Sequence, residues 1–165
     1  MISDDKPVFS DLIKMSISKL FIEETKNTPE ISMDPGKGVL VLKGKSIPEN
    51  ATQLYDPVVK WLKEYINKPA DETNLHYNLV YFNTASSIWM ARIIKILSRI
   101  NDPEKILIIN LYFHLEEYDE MEAEDMHDAI APALDVLHEA TVSLGVNIFG
   151  TDDTGKIIKK RLILI

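Results

Sequence analysis

No cysteine occurs among the 165 residues, which excludes disulfides, cysteine-ligated zinc and thiol catalysis. Glycine is scarce, with six residues, and there is no phosphate-cradling loop, dinucleotide fingerprint or Gly-x-Ser-x-Gly elbow. No motif therefore asks for a cofactor. Long apolar runs are missing too: 106–109 and 162–165 are far too short to span a bilayer. The start, Met1-Ile-Ser-Asp-Asp-Lys, lacks the basic and then apolar stretch of a secretory signal. A soluble cytoplasmic domain is the expectation. The length suits one domain, and 45% hydrophobic with 27% charged residues is enough for a sizeable core.

The most informative absence is of positive charge. Lys105 is followed by no lysine or arginine until Lys156, and twelve Asp and Glu lie between them. That segment carries −12 and the rest of the chain +4, for a net −8. An acidic surface repels phosphate backbones and anionic lipid, so neither nucleic acid nor membrane is an expected partner. Eight of the twelve acids fall within 116–128. Read simply, this block is a solvated loop and helix start, where the helix dipole favours carboxylates. It also suits a surface that docks a basic partner. A metal site is a third reading, since His114 and His127 are near the carboxylates, with Glu122 and Asp125 the ligands to test. No EF-hand spacing or His-Glu-x-x-His motif supports it.

Strands and helices alternate along the chain. Residues 19–23 and 30–33 read as strands, and Asp34-Pro35-Gly36-Lys37-Gly38 turns the second into 39–43 as a hairpin. Pro48-Glu49-Asn50 opens a helix with Leu54, Val58, Leu62, Tyr65 and Ile66 on one face. Pro57 must lie in its first turns or kink it. A strand over 75–82 follows, with Leu75, Leu79 and Tyr81 on one side. The polar turn Asn83-Thr84-Ala85-Ser86 leads to a helix over about 86–100 that buries Trp89, Ile93, Leu97 and Ile100. Arg92, Lys95 and Arg99 line another face, most simply a solvated stripe. Residues 106–113, apolar and β-branched, read as a central strand. Met126, Ile130, Leu134, Leu137, Thr141 and Leu144 continue a helical face, interrupted by Pro132 and stopped by Gly145. Two late strands, 146–149 and 157–164, flank Asp152-Asp153-Thr154-Gly155. The expected class is α/β: a single-domain sandwich of one mixed β-sheet with helices packed against it.

Candidate catalysts are sparse. His76, His114, His127 and His138 fall in different elements, none near a Ser or Asp at a spacing that implies a triad. Each is expected to be structural or exposed. The turn at 83–87 is different, because ligands of open α/β sheets sit at the C-terminal ends of strands. A helix cap needs only one Asn, Thr or Ser, yet Asn83, Thr84, Ser86 and Ser87 stand within five positions. A phosphate there adds about −1.5 to −2 charges at the positive end of a helix.

These residues carry a resemblance. Phe21-Ile-Glu-Glu-Thr-Lys-Asn-Thr-Pro-Glu-Ile31, Ser46-Ile-Pro-Glu-Asn-Ala51, Tyr55-Asp-Pro57 with Trp61-Leu62, and Tyr81-Phe-Asn-Thr-Ala-Ser-Ser87 stand in sequence. Their order and spacing, with the acidic block after Tyr112, resemble the SiaC family of bacterial regulatory phosphoproteins over about residues 18–130. The core of that family looks like a STAS-type anti-sigma-factor-antagonist domain. The resemblance implies an N-terminal extension (1–17), a SiaC-like α/β domain (18–150) and a C-terminal strand extension (151–165).

It also implies a function. In the family a threonine in this turn is phosphorylated by a cognate Ser/Thr kinase and dephosphorylated by a PP2C-like phosphatase. The unphosphorylated form binds and activates a diguanylate cyclase, in cyclic-di-GMP signalling. By resemblance Thr84 is the phosphoacceptor, framed by Asn83, Ser86 and Ser87. Glu49, Asn50 and Arg92 are expected to meet the kinase or another partner. Ala85 stands where the family usually has serine, and Ile47 where it usually has tyrosine. The resulting reading is a non-enzymatic regulator that switches partners, the phosphate weakening its interface through desolvation and like-charge repulsion. The alternatives are a constitutive interaction or assembly module of the same fold, and a small metal-dependent enzyme using the acidic block.

Overall fold

The computed structural model describes residues 17–164. The extension expected at 1–17 lies outside them apart from Ile17, as does Ile165. Seven strands form one mixed sheet whose spatial order is their order in the chain. β1 (Leu20–Ile22), β2 (Glu30–Asp34) and β3 (Val39–Ser46) make an antiparallel meander. β3 runs parallel to β4 (Glu72–Phe82), β4 to β5 (Ile106–His114) and β5 to β6 (Ser143–Thr151). β7 (Ile157–Leu164) returns antiparallel along β6. The parallel steps are bridged by α1 (Ala51–Tyr65), by α2 (Thr84–Leu97), and by the pair α3 (Leu115–Glu120) and α4 (Ala123–Val136). Such crossovers are right-handed, and three that advance in one direction place the four helices of the described residues on one face. The fold is α/β with a single mixed sheet.

The register shows where the core lies. Leu40, Leu75, Ile109 and Val146 are cross-strand neighbours, as are Leu42, Tyr77, Leu111 and Ile148, and all are buried. Against them α1 packs Tyr55, Val58, Leu62 and Tyr65, α2 packs Ile93, Ile94 and Leu97, and α4 packs Met126 and Ile130. Full burial of one such aliphatic side chain contributes about 1.5–3 kcal/mol, so packing holds these helices more than propensity does. Pro57 is the seventh residue of α1, and the helix runs through it. The opposite face of the sheet carries a polar row. Asn110 Nδ2 donates to Asn74 Oδ1 at 3.2 Å, and Asn147 Nδ2 donates to Asn110 Oδ1 at 2.9 Å. On that face His76 Nδ1 bonds the Tyr112 hydroxyl at 2.8 Å, and burial holds the imidazole below its usual pKa.

The structure departs from the sequence reading at three places. Tyr81 does not share a side with Leu75 and Leu79. Gly44 pairs with Leu79 but Lys45 with Tyr81, so Val80 is an extra residue, and alternation inverts after a bulge. Tyr81 turns to that opposite face, where Lys45 Nζ lies 5.9 Å from its ring centre, while Phe82 turns to the helix face. Second, Thr84 and Ala85 are helical rather than turn, because Asn83 is the cap, and α2 ends at Leu97 rather than Ile100. Third, the helical face read through Leu144 ends at Val136. Leu144 opens the inward alternation Leu144, Val146, Ile148 of β6, and one residue can satisfy both periods. Gly145 lies inside β6 and stops no helix. The acidic block itself folds as α3 and the first turn of α4.

Candidate functional site

β3 and β4 end side by side, Ser46 opposite Phe82, and each leads into a helix. Two helix N-termini therefore open at the C-terminal edge of the parallel strands. Asparagine caps both. Asn50 Oδ1 accepts the Gln53 N–H at 3.1 Å, and Asn83 Oδ1 accepts the Ser86 N–H at 2.9 Å. Each carboxamide satisfies one of the free N–H groups of a first turn. Thr84, the first residue of α2, is exposed. Ser87 is half-buried, its hydroxyl donating to the Asn83 carbonyl at 3.4 Å. Glu49 and Asn50 are exposed and line a cleft of about 410 Å³ beside Pro48 and Gln53. Arg92 lies eight residues past Thr84, about 12 Å along the helix axis. Its guanidinium stacks 4.9 Å from the Trp89 ring centre.

At the base of this turn lies a buried relay of three hydroxyls. Ser86 Oγ donates to the Ser46 carbonyl at 2.8 Å and lies 2.7 Å from Ser46 Oγ, which also meets the Tyr55 hydroxyl. The Asn83 N–H donates to the same Ser46 carbonyl at 3.0 Å. The first turn of α2 is thus pinned to β3 and α1 together. Burial raises the Tyr55 pKa, against the pull of the Ser46 and Ser86 hydroxyls, so the relay stays neutral. Sequence reasoning assigned no role to Ser46 or Tyr55. Both stand in the recognisable stretches 46–51 and 55–57, the one signal available.

The surface around Thr84 is apolar. Val80, Phe82 and Ile88 leave 70%, 51% and 65% of their surface exposed. Beyond Tyr77 and Leu111, β4 and β5 no longer pair: β4 follows β3, and β5 follows β6. Their parting opens a groove of about 380 Å³, with Phe82, Ser87 and Met90 on one side and Met121, Ala129 and Pro132 on the other. Glu117, Asp125 and Asp128 line it as well. Ser87, at the end of the polar turn, therefore shares one groove with three residues of the acidic block, while Thr84 does not line it. Among the described residues no three His, Asp or Glu side chains are placed to hold a metal. His114 instead bonds Asp153 at 2.7 Å, which raises its pKa. No helix among the described residues is long and apolar enough to cross a membrane.

The sequence model of the SiaC family regulatory phosphoproteins matches residues 22–138, spanning both helix N-termini, the turn and the acidic block. The chain belongs to the SiaC family. It is similar to an uncharacterized protein of Pseudomonas aeruginosa strain UCBPP-PA14, at 30% identity over 108 residues, covering 66% of this chain and 84% of that protein. Its fold is similar to apo-SiaC from Pseudomonas aeruginosa, with a TM-score of 0.57 at 22% identity over 79% of this chain and 98% of that one. A chain in the crystal structure of the diguanylate cyclase SiaD with its activator SiaC, from the same organism, matches with a TM-score of 0.57. That match, at 22% identity, covers 77% of this chain and 97% of the other. Nearly a whole SiaC chain superposes on about four-fifths of this one.

Proposed function

We propose that this protein is a regulator that acts by docking, through the surface at the start of α2, and that phosphorylation of Thr84 releases its partner. A diguanylate cyclase is the output partner, a cognate Ser/Thr kinase writes the phosphate, and a PP2C-like phosphatase removes it. Membership of a family of regulatory phosphoproteins supports this, as does the role of the similar SiaC as activator of SiaD. The observation that carries the reading is the setting of Thr84, an exposed hydroxyl at a helix start beside exposed Val80, Phe82 and Ile88.

An exposed apolar patch of this kind is suited to burial against another protein. A phosphate dianion in its midst costs the complex heavily, because it must be stripped of water without a partner. In the free protein the same dianion gains from the N–H groups and dipole of the helix start. Both effects favour the modified, unbound state. A loss of ~3 kcal/mol weakens binding about 150-fold.

Titration of the full chain against the diguanylate cyclase of its own host tests the reading. Thr84→Ala should bind as the unmodified protein does and resist the kinase, while Thr84→Glu should bind at least about tenfold more weakly. Intact-mass measurement of protein from the host should find one phosphate, mapped to Thr84. Equal binding by both variants, with no phosphate in cells, would leave a constitutive interaction module.

A further inference from the structure

We propose that the groove between α2 and α4 receives a partner segment presenting one bulky apolar side chain with lysine or arginine close beside it. This rests on the docking reading above, but not on modification of Thr84.

The shape comes from the sheet. The β4–β5 ladder stops at Tyr77 and Leu111, while both strands run on, β4 to Phe82 and β5 to His114. Main-chain groups that face the gap have no ladder partner across it, and such groups seek hydrogen bonds. The bulge at Val80 then turns Phe82 to the helix face, where it lines the groove together with Met90 from α2 and Met121 from the loop before α4. Methionine and aromatic walls of this kind adapt to a large apolar anchor. The volume, about 380 Å³, falls at the small end of ligand-binding sites.

Charge selects the rest of the occupant. Glu117, Asp125 and Asp128 line the groove, and no lysine or arginine does. Among the described residues none of the three forms an ion pair, although Asp125 accepts the Glu122 N–H. A purely apolar occupant would strip water from these carboxylates without compensation. An acidic one would meet direct repulsion. A cation beside the anchor removes both penalties, and it also adds attraction at long range.

The test uses the full chain and two short synthetic peptides, each with one tryptophan, flanked in one by arginines and in the other by glutamates. Fluorescence anisotropy should show the arginine peptide binding, more weakly as salt rises, and the glutamate peptide binding at least tenfold less. Glu117→Lys with Asp128→Lys should weaken the arginine peptide about tenfold and strengthen the glutamate one. Glu104→Lys with Glu139→Lys, the same charge change at exposed sites that do not line the groove, should leave both unaltered, with melting curves confirming the fold of every variant. Methyl NMR signals of Met90 and Met121 should shift on binding. Equal affinity for the two peptides, or unmoved methionine signals, would overturn the proposal. So would self-association through the groove, with a second copy supplying its own Lys159–Lys160–Arg161. Thr84→Glu should change peptide binding by less than about twofold. If the peptide fails while Thr84→Glu still releases the cyclase, the groove assignment falls and the switch stands. The converse result separates them the other way.

Discussion

Ser86 lies two residues past Thr84 and ties the first turn of α2 to the last residue of β3. Tyr55→Phe should cost about 1 kcal/mol, since it removes the buried hydrogen bond to Ser46 Oγ, and Ser86→Ala about 1–2 kcal/mol, since its hydroxyl meets both the Ser46 carbonyl and Ser46 Oγ. Both hydroxyls act through Ser46, so the double variant should lose less than the sum; urea unfolding followed by tryptophan fluorescence measures this. Asn83→Ala should lose about 1 kcal/mol of capping, and Asn83→Asp should restore most of it. Two histidines give opposite pH slopes. Burial lowers the folded pKa of His76 below 6.5, so the unfolded chain takes up that proton first. Stability should therefore fall as pH drops through about 6.5, levelling off below the folded value. The Asp153 carboxylate raises the His114 pKa, so that pair stabilises below 6.5 and is lost as pH rises through the folded value. The pair is exposed, and its effect should be the smaller. Melting temperature against pH for His76→Gln and Asp153→Asn separates the two. The segment 83–87 stands out in the sequence as a candidate because four capping-type residues in five positions exceed what one helix needs. The relay was not legible, because Ser46 and Ser86 lie 40 positions apart and nothing in either residue names the other.

At the scale of elements, the hairpin between β2 and β3 depends on Gly38. Its φ is +65°, and a Cβ there would come within 2.3 Å of the Glu72 carbonyl oxygen. Gly36 has open space by comparison, with Asp34 Oδ1 at 3.6 Å. Gly38→Ala should destabilise by about 2 kcal/mol or more, and Gly36→Ala by much less, as judged by thermal melts. That hairpin was readable from its turn residues, and β7 from its run of apolar and basic residues between a tight turn and the chain end. Two features resisted reading. The span 137–145 fits a helix period and a strand period equally at Leu144, and only the pairing of β6 with β5 decides. The bulge at Val80 leaves no mark in the alternation of β4 itself, because it is defined by the register of β3. That unseen residue decides which of Tyr81 and Phe82 faces the groove.

For the whole molecule, the net charge of −8 argued against nucleic acid and lipid, and its separation into −12 and +4 pointed to a docking surface. In three dimensions it becomes a groove that no lysine or arginine lines and, on the far side of β6, a basic strand whose Lys159 pairs with Asp119. β7 is exposed along 157–162, so the strand extension at 151–165 should be separable from the core. A chain ending at Thr151 should still melt in one cooperative step, with a lowered midpoint; a broad, non-cooperative melt would show that β7 is integral. The strand order has one further bearing, on synthesis. Because neighbours in the sheet are neighbours in the chain, each strand that leaves the ribosome finds its docking edge already built and vacant. No strand has to be threaded between two that have already paired. At every stage the nascent protein exposes one growing edge, open to the next strand and to misplaced neighbours alike. β7 carries Lys159 and Lys160, the residue type that blunts an edge against further pairing.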